Sequence, residues 1–468
     1  MVTTAMDNCT HHDSAPASAD IAAAGKPRHI YIDCTSTYFT GLNTGIQRVV
    51  RGLVERDRML TEHIGVPCIP VIALRGHYWR FPSSERTMVQ DVLENSTEQR
   101  SSGRGRFGRF EQAILALGRR LHVPKAVTAA PLHIARRTLA AALCRFHSTS
   151  TRRILRKNGA RFIRAQTGDL LLIPDAFWGP HGQVSAIKRF SVEGGAVLPV
   201  VHDVTPLTHS TFFPDSHVGP FRAGLRRVLS AACGVLTVSR TVMADVGRYC
   251  AEEGYGHLPL DYVYSGADIA SQAPNATASV RPDIAAHCEA RPFLMVGTVE
   301  PRKDYQTALD GYERYLGGGG QRPLVIVGRL GWLELDVVAR MRAMTHSSKP
   351  LFFYPDVSDA ELAALYQRAS ALIFASRYEG FGLPLVEAMH QGLPVIASDI
   401  PVFQEIGQDY PVYFQMGDAE DLRRALWEHD QGGGGRSVPR PWPTWDEAAP
   451  SYIDKAVALY AQSHLGAE

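Results

Sequence analysis

The chain of 468 residues is 45% hydrophobic and 21% charged, with a formal net charge of +2. At about 150 residues per domain this length predicts two or three domains, and the apolar fraction excludes a wholly disordered chain. A net charge so close to zero also argues against a general nucleic-acid-binding protein.

The seven cysteines lie far apart and form neither a CxxC pair nor a Cys/His cluster with the spacing of zinc ligands. We therefore expect neither a disulfide framework nor a structural metal, and a cytoplasmic, reducing compartment fits best. Residues 1–26 lack the basic and apolar regions of a signal peptide and are predicted to be a disordered tail. The sequence has no run of 18 apolar residues that predicts a membrane-spanning helix.

Short apolar runs recur along the chain and end at Gly, Pro, Asp or Ser, which is typical of strands buried on both faces of a parallel sheet. Helical patterns of ~10–15 residues separate several of these runs, as in βαβ units. The nine predicted strands are residues 29–32, 170–173, 196–201, 234–238, 293–296, 324–327, 351–354, 371–374 and 394–397.

Two α/β domains fit this length better than one. Residues 267–290 are poor in large apolar side chains, so we predict that they link a first domain, residues 27–266, to a second, residues 291–440. Residues 441–468 form a terminal segment with a helical pattern, in which Pro450 is expected to break or kink the helix.

A strongly basic insertion interrupts the first domain at about residues 97–165. From residue 100 to 164 it carries sixteen Lys and Arg against one acidic residue, Glu111. Apolar residues alternate with the arginines at roughly helical spacing, which indicates either a surface-lying amphipathic segment attracted to anionic lipid or a solvated insertion. Nucleic acid is a weaker alternative, because few aromatic residues lie among the basic ones.

The most informative stretch is YEGFGLPLVEAM at residues 378–389, between the predicted strands 371–374 and 394–397. Pro384 suits the first turn of a helix and Gly392 suits the residue after its end. The free N–H groups at such a helix start form an anion site suited to a diphosphate. Glu379 lies in the loop at the strand's carboxyl end and Glu387 one turn inside the helix, so both carboxylates could border one pocket.

This Glu-x7-Glu stretch resembles the donor-binding signature of the retaining glycosyltransferases of family four, which have the GT-B fold. Matching segments occur in the same order, namely VHDVTP at 201–206, LTVS at 236–239, GTVEPRKD at 297–304, VGRLGW at 327–332 and PDVS at 355–358. The resemblance covers residues 28–96 and 166–465. It implies two Rossmann-like, doubly wound domains that face across a cleft, with the terminal helix crossing back onto the first domain.

The resemblance also implies roles for individual residues. Transfer of a sugar leaves negative charge on the diphosphate, and Arg302 and Lys303, just after strand 293–296, could stabilise it without a metal. By similarity, Glu387 would accept hydrogen bonds from the ribose, Glu379 would hold donor-sugar hydroxyls and His202 would position the reacting centre. The predicted catalytic residues are thus His202, Arg302, Lys303 and Glu379. The predicted donor-binding residues are Gly45, Gly297, Arg302, Lys303, Val357, Glu379, Gly380, Phe381, Gly382, Leu383 and Glu387, and the predicted acceptor-binding residues are Arg48 and Asp203.

Each of these side chains has an ordinary structural interpretation as well. Glu379 and Glu387 could be solvated charges, Arg302 and Lys303 surface cations, and His202 a structural histidine. A glycoside hydrolase with two carboxylates is rejected, since it would need neither an anion-binding helix start nor the Arg/Lys loop.

From the resemblance we expect transfer with retained configuration and no metal or other cofactor. The GIQRV segment at residues 45–49 favours GDP-mannose as the donor. The expected acceptor is a growing, lipid-linked saccharide of a surface polysaccharide, and the basic insertion would bring the enzyme to the inner membrane face. Two alternatives remain open: a nucleotide-sugar epimerase of the same fold and a non-catalytic assembly protein.

Overall fold

The computed structural model describes residues 25–40, 44–80, 160–178, 183–268, 280–346 and 349–465. These residues form two α/β lobes, which we call the first lobe (described residues up to 268) and the second lobe (residues 280–440). The first lobe contains one mixed sheet and the second lobe one parallel sheet, each between layers of helices.

The first lobe is built on a sheet in which eight strands are described, in the order β4-β3-β2-β1-β5-β6-β7-β8. All neighbouring pairs are parallel except β2–β3 and β3–β4. The strands are β1 His29–Asp33, β2 Cys68–Leu74, β3 His77–Arg80, β4 Arg161–Phe162, β5 Asp169–Ile173, β6 Ala196–Val201, β7 Val235–Thr237 and β8 Leu260–Tyr262. The helices are α1 Thr35–Thr40, α2 Gly45–Val54, α3 Asp57–Ile64, α4 Gln183–Val192, α5 Thr205–Thr208, α6 Asp215–Leu229 and α7 Arg240–Glu252.

The second lobe has a wholly parallel sheet in the order β11-β10-β9-β12-β13-β14. Its strands are β9 Phe293–Val296, β10 Leu324–Val327, β11 Leu351–Tyr354, β12 Ala371–Phe374, β13 Val395–Ser398 and β14 Val412–Phe414. Its helices are α8 Pro282–Glu289, α9 Tyr305–Gly317, α10 Leu335–His346, α11 Asp359–Arg368, α12 Leu383–His390, α13 Pro401–Gly407 and α14 Ala419–Gln431. This is the 3-2-1-4-5-6 order of a Rossmann sheet, which reverses between β9 and β12 and opens a crevice at their carboxyl ends.

The predicted GT-B architecture is confirmed: two doubly wound lobes face each other across a cleft. Each of the nine predicted strands corresponds to an observed strand, with ends that differ by at most one or two residues. The central strands β5, β6, β9, β10 and β12 are almost wholly buried, as continuous apolar runs predict.

Two local findings bear on the expected linker and on Pro450. Residues 282–289 of the expected linker form helix α8, which packs against α11 of the second lobe. Ile284 and Cys288, four residues apart, are both buried there, and His287 Nδ1 lies 2.7 Å from the Tyr354 hydroxyl, so a helix otherwise poor in apolar residues is held on one face. Pro450 lies inside a continuous helix, α15 Trp445–Leu465, and does not end it.

Helix α15 lies on the first lobe, where it contacts α2 and α3 and the strands β6, β7 and β8. This packing explains why the helix tolerates Pro450: Ala449, Tyr452, Ile453 and Ala456 are fully buried, and their burial outweighs one lost backbone hydrogen bond.

Apart from residues 160–165, the basic insertion lies outside the described residues, as does the predicted disordered tail apart from residues 25 and 26. Among the helices that the structure describes, none has the length and apolar character needed to cross a membrane.

Candidate active site

A cleft of about 540 Å³ lies between the two lobes. Both sheets point their carboxyl ends toward it, where doubly wound folds place their ligands. All fourteen residues that the sequence nominated line this one cleft: Gly45, Arg48, His202, Asp203, Gly297, Arg302, Lys303, Val357, Glu379, Gly380, Phe381, Gly382, Leu383 and Glu387.

An ion cluster of two cations and two carboxylates occupies the crevice between β9 and β12. Glu379 receives Arg302 Nη1 on Oε2 at 2.7 Å and the Lys303 ammonium on Oε1. Arg302 also donates from Nε to Glu300 at 2.6 Å. The hydroxyl of Ser376 donates to Glu379 Oε1 at 2.7 Å. The crevice thus holds both predicted cations, each already paired with a carboxylate.

The charges in this cluster depend on one another. Burial alone would raise the pKa of Glu379, but the positive charges of Lys303 and Arg302 outweigh it and lower that pKa to about 2. Burial lowers the pKa of Lys303, and the nearby charge of Glu379 only partly restores it. For Arg302, the carboxylates of Glu379 and Glu300 overcome burial and raise the pKa. Removing one partner therefore leaves a buried charge uncompensated, which is costly.

Asp304 and Arg377 fix the positions of the two loops that carry the cluster. Asp304 adopts a left-handed conformation (φ 48°) and caps α9, where it accepts a hydrogen bond from the hydroxyl of Thr307 at 2.8 Å. Arg377 donates to both oxygens of Asp304, at 2.8 and 3.2 Å, and its N–H binds the carbonyl of Arg302 at 2.8 Å. The loop after β9 and the loop after β12 are therefore joined directly.

Helix α12 begins at the cleft with the glycine loop that the sequence predicted. Gly382 caps it in a left-handed conformation (φ 95°), and Pro384 occupies the first turn. Pro384 has no N–H, and the N–H of Leu385 binds the Gly382 carbonyl at 2.9 Å, so the N–H of Leu383 and the helix dipole supply the partial positive charge at the cleft. A second glycine permits close approach of the lobes: a Cβ on Gly380 would lie 2.1 Å from the carbonyl oxygen of His202.

Glu387, near the middle of α12, joins the two lobes at the other end of the cleft. Its carboxylate pairs with the guanidinium of Arg48 from α2, and it accepts a hydrogen bond from the Tyr366 hydroxyl at 2.7 Å. Arg48 also lies 3.9 Å from Asp359. The sequence assigned Arg48 to the acceptor, whereas the structure places it beside the carboxylate predicted to bind the ribose.

His202 is half-buried at the end of β6. Its Nε2 lies 2.7 Å from the carbonyl oxygen of Pro174, which can only accept, so Nε2 carries the proton. Burial lowers the pKa of His202, and the ring is therefore neutral with Nδ1 free to accept a hydrogen bond. Asp203, the other predicted residue of this loop, accepts the backbone N–H of Thr205 at 3.1 Å.

Sequence reasoning missed several cleft residues. Glu300, Arg329 and Trp332 line the cleft and lie inside the segments quoted for the resemblance, so those segments could have identified them. The Trp332 indole N–H reaches across the cleft to the carbonyl of Phe212 at 2.7 Å. Tyr366 and Arg377 do not line the cleft but bind Glu387 and Asp304, and they carried no signal because these partners lie 21 and 73 residues away in the chain.

Within the described residues, no group of three or more His, Cys, Asp or Glu side chains could hold a metal ion. The polar groups of the crevice are cations, carboxylates and backbone amides. Such a set suits an anionic ligand better than a metal, because every carboxylate of the ion cluster is already paired with Arg302 or Lys303.

Comparison with known proteins gives a match over the second lobe. Residues 281–428 match the family model described as Glycosyl transferases group 1. The serotype-specific mannosyltransferase WbdA of Escherichia coli is 35% identical over 280 residues, which cover 57% of this chain and 34% of WbdA. The O-antigen chain mannosyltransferase B of Escherichia coli is 26% identical over 267 residues, covering 56% of this chain and 65% of that protein. The chain thus spans about a third of the length of WbdA.

Among solved structures, the crystal structure of Anabaena Alr3699/HepE in complex with UDP and glucose aligns with 94% of this chain and 100% of its own, at a TM-score of 0.48 and 15% identity. Sucrose-phosphate synthase from Thermosynechococcus elongatus aligns with 64% of this chain and 72% of its own, at a TM-score of 0.42 and 18% identity.

Proposed function

We propose that this chain is a retaining hexosyltransferase of glycosyltransferase family four, with Glu379 and Glu387 as its Glu-x7-Glu motif. It transfers mannose from GDP-mannose to a saccharide acceptor in surface-polysaccharide biosynthesis. The observation that carries the proposal is the ion cluster of Arg302, Lys303 and Glu379 at the Rossmann crevice, beside the start of α12. The match of residues 281–428 and the names of the mannosyltransferase relatives support the reaction class and the sugar.

In the proposed reaction the bond between the anomeric carbon and the diphosphate oxygen breaks, and its electron pair goes to the diphosphate. Arg302, Lys303 and the start of α12 stabilise that charge. The acceptor hydroxyl oxygen forms the new bond to the anomeric carbon, on the face from which the diphosphate departs. Its proton passes to the departing diphosphate, so the step needs no separate general base.

The remaining cleft residues position the two substrates. Glu387 accepts hydrogen bonds from the ribose, and Arg48 holds that carboxylate in place from the first lobe. Glu379 holds hydroxyls of the donor sugar, as do Gly380, Phe381, Gly382 and Leu383 through their backbone. Neutral His202 accepts a hydrogen bond from a sugar hydroxyl at Nδ1, since Nε2 is bound to Pro174. Gly45, Gly297 and Val357 also bind the donor, and Asp203 binds the acceptor.

The decisive experiment incubates the purified full chain with GDP-mannose, with and without a mannose-terminated oligosaccharide. We expect the acceptor to gain one hexose by mass spectrometry, with an α-linkage by NMR, because the proposed mechanism retains the configuration of the donor. The panel includes UDP-glucose and UDP-N-acetylglucosamine, and thermal stabilisation by each nucleotide ranks the donors. Conversion of GDP-mannose into another sugar nucleotide without any acceptor would instead identify an epimerase. Absence of affinity for every nucleotide in the panel would identify a non-catalytic protein.

We also propose that the basic insertion attracts the enzyme to the anionic inner face of the cytoplasmic membrane, near a lipid-linked acceptor. This rests on the charge count alone. Deleting residues 100–159, which keeps strand β4 in place, is expected to weaken binding to vesicles containing phosphatidylglycerol while leaving donor hydrolysis largely intact. Unchanged vesicle binding would discard the membrane role.

A further inference from the structure

Arg329 is an unpaired cation in the cleft. Four cationic side chains of Lys or Arg line the described cleft, namely Arg48, Arg302, Lys303 and Arg329. Arg48 pairs with Glu387, and Arg302 and Lys303 pair with Glu379. Among the four, only the side chain of Arg329 has no hydrogen bond, ion pair or ring contact with any residue that the structure describes, and Arg329 is exposed at the cleft wall.

The pairing of the other cations matters because a diphosphate brings at least two negative charges. The charges of Arg302 and Lys303 are already balanced by Glu300 and Glu379. A diphosphate placed against this balanced cluster gains only the partial positive charge of the α12 start, about half a unit charge. Binding it in a partly desolvated crevice calls for a further positive charge without a carboxylate partner.

The backbone packs the loop that carries Arg329 against the loop that leads to Lys303. Gly328 packs against Gly297, since a Cβ on Gly328 would lie 1.9 Å from the carbonyl oxygen of Gly297. A Cβ on Gly297 would in turn lie 3.6 Å from Lys303 Nζ. The carbonyl of Arg329 accepts the N–H of Val299 at 2.8 Å, which fixes the loop after β10 to the loop after β9. Arg329 therefore belongs to a loop of the second lobe that packs directly against the loop of Gly297, the residue beside the ammonium group of Lys303.

We propose that Arg329 is a third cation that binds the diphosphate of the donor. This rests on the proposed function and names a specific contact within it. The guanidinium forks two phosphate oxygens, which lysine cannot do as well. The location favours the donor over an acceptor phosphate, because Arg329 belongs to the second lobe, which also carries the ion cluster proposed to bind the diphosphate, and its loop packs against Gly297.

The test measures GDP and guanosine affinity by calorimetry for the full-length protein and for Arg329→Gln, Arg329→Lys and Arg342→Gln. Arg342 is the matched control, an exposed arginine on α10 that does not line the cleft. Loss of a charge-assisted bond to phosphate should raise the Kd of Arg329→Gln for GDP about tenfold, with Arg329→Lys in between. Guanosine affinity and the Arg342→Gln variant should match the wild type.

The assignment is overturned if Arg329→Gln binds GDP as tightly as the wild type. If the KM of that variant for a diphosphate-linked acceptor rises at the same time, the guanidinium binds the acceptor instead. If the wild type binds neither GDP nor UDP, the proposed function itself fails, and that result is distinct from an effect confined to the variant. Thermal unfolding of each variant shows whether it is folded.

Discussion

At the scale of single residues, Glu379 acts as an internal counterion. It accepts from Arg302, Lys303 and Ser376, so in the unliganded cleft it balances the two cations that are proposed to bind the diphosphate. The same carboxylate is proposed to hold hydroxyls of the donor sugar. Glu379 therefore affects nucleotide binding and sugar transfer in different ways, and a substitution of this one residue can separate the two effects.

We expect Glu379→Gln to bind GDP at least as tightly as the wild type, because removing the carboxylate frees positive charge for the phosphates. Turnover of GDP-mannose should fall about 100-fold, since the sugar loses a charged hydrogen-bond acceptor that positions it. Calorimetry with GDP and initial rates with GDP-mannose provide the two measurements. Weaker GDP binding by Glu379→Gln than by wild type would contradict the counterion role.

Two buried carboxylates in the first lobe predict a pH dependence of stability. Asp175 accepts the N–H groups of Thr37 and Ala176 at 2.7 and 2.8 Å, yet burial and the charge of Asp33 raise its pKa from 3.8 to about 7. The folded state thus keeps a proton that the unfolded chain loses near pH 4. Stability should fall as the pH rises from about 4 to about 7 and change little above that through this group.

Urea denaturation at pH 5, 6, 7 and 8 checks this expectation, with Asp175→Asn as the test and the exposed Asp336→Asn as the control. The Asp175→Asn protein is expected to be less stable at every pH, because its amide nitrogen faces a backbone N–H. Its unfolding free energy should nevertheless depend less on pH between 5 and 7. A slope equal to that of the control would show that Asp175 is ionised throughout.

The residues of the site were predictable where they share a short motif. The nominated residues lie in segments of twelve residues or fewer, and all of them line the cleft. Their pairings were not predictable, because Arg48 and Glu387 are 339 residues apart and Arg302 and Glu379 are 77 apart. Spacing in the sequence cannot show that two motifs balance each other's charge, which depends on how the sheets bring their ends together.

At the scale of elements, the predicted strands were those with apolar residues on both faces. Five strands were missed, and four of them are edge or irregular ones: β3 and β4 are antiparallel, β8 is half-exposed, and β14 has an exposed Val412. Those four lack a continuous apolar run, so periodicity alone does not separate them from loops. The helix α8 was missed for a similar reason, since Ile284 and Cys288 are its only buried residues and its polar contact from His287 to Tyr354 depends on the fold. The fifth missed strand, β2, is an interior strand with a nearly continuous apolar run, so its sequence did carry the signal.

One helix is capped from the opposite lobe. The carboxylate of Glu405 on α13 accepts the N–H groups of Arg240 and Thr241, at 2.7 and 2.8 Å, at the start of α7. It also accepts the hydroxyls of Thr241 at 2.6 Å and Tyr264 at 3.0 Å. These bonds satisfy the leading amides of α7 and tie the two lobes together behind the cleft.

Glu405→Ala should therefore lower the unfolding free energy by about 2 kcal/mol, through loss of a charged helix cap and its hydrogen bonds. The matched control is Glu420→Ala, which removes an exposed carboxylate paired with Arg314 and Arg423 on the surface. That change should cost about 0.5 kcal/mol or less. Chemical denaturation measures both, and equal losses would show that the contact between the lobes contributes nothing beyond a surface ion pair.

At the scale of the whole molecule, the cleft works only if the lobes approach each other closely. Gly380 is one point where they meet, since the carbonyl oxygen of Gly380 accepts the Ser239 hydroxyl at 2.7 Å and its Cα faces the backbone of His202. The first lobe supplies His202 and Arg48 and the second supplies the ion cluster, so neither lobe contains the complete site.

Gly380→Ala tests this requirement, because its Cβ would lie 2.1 Å from the His202 carbonyl oxygen and must push the lobes apart. We expect GDP affinity to stay within about threefold of wild type, since the cations belong to the second lobe, while turnover falls about 100-fold as the reacting groups separate. The radius of gyration by small-angle scattering should increase. Gly219→Ala, where a Cβ meets nothing within 4 Å, is the control and should match wild type in both assays. Wild-type turnover by Gly380→Ala would mean that the reaction takes place with the lobes farther apart than the structure shows.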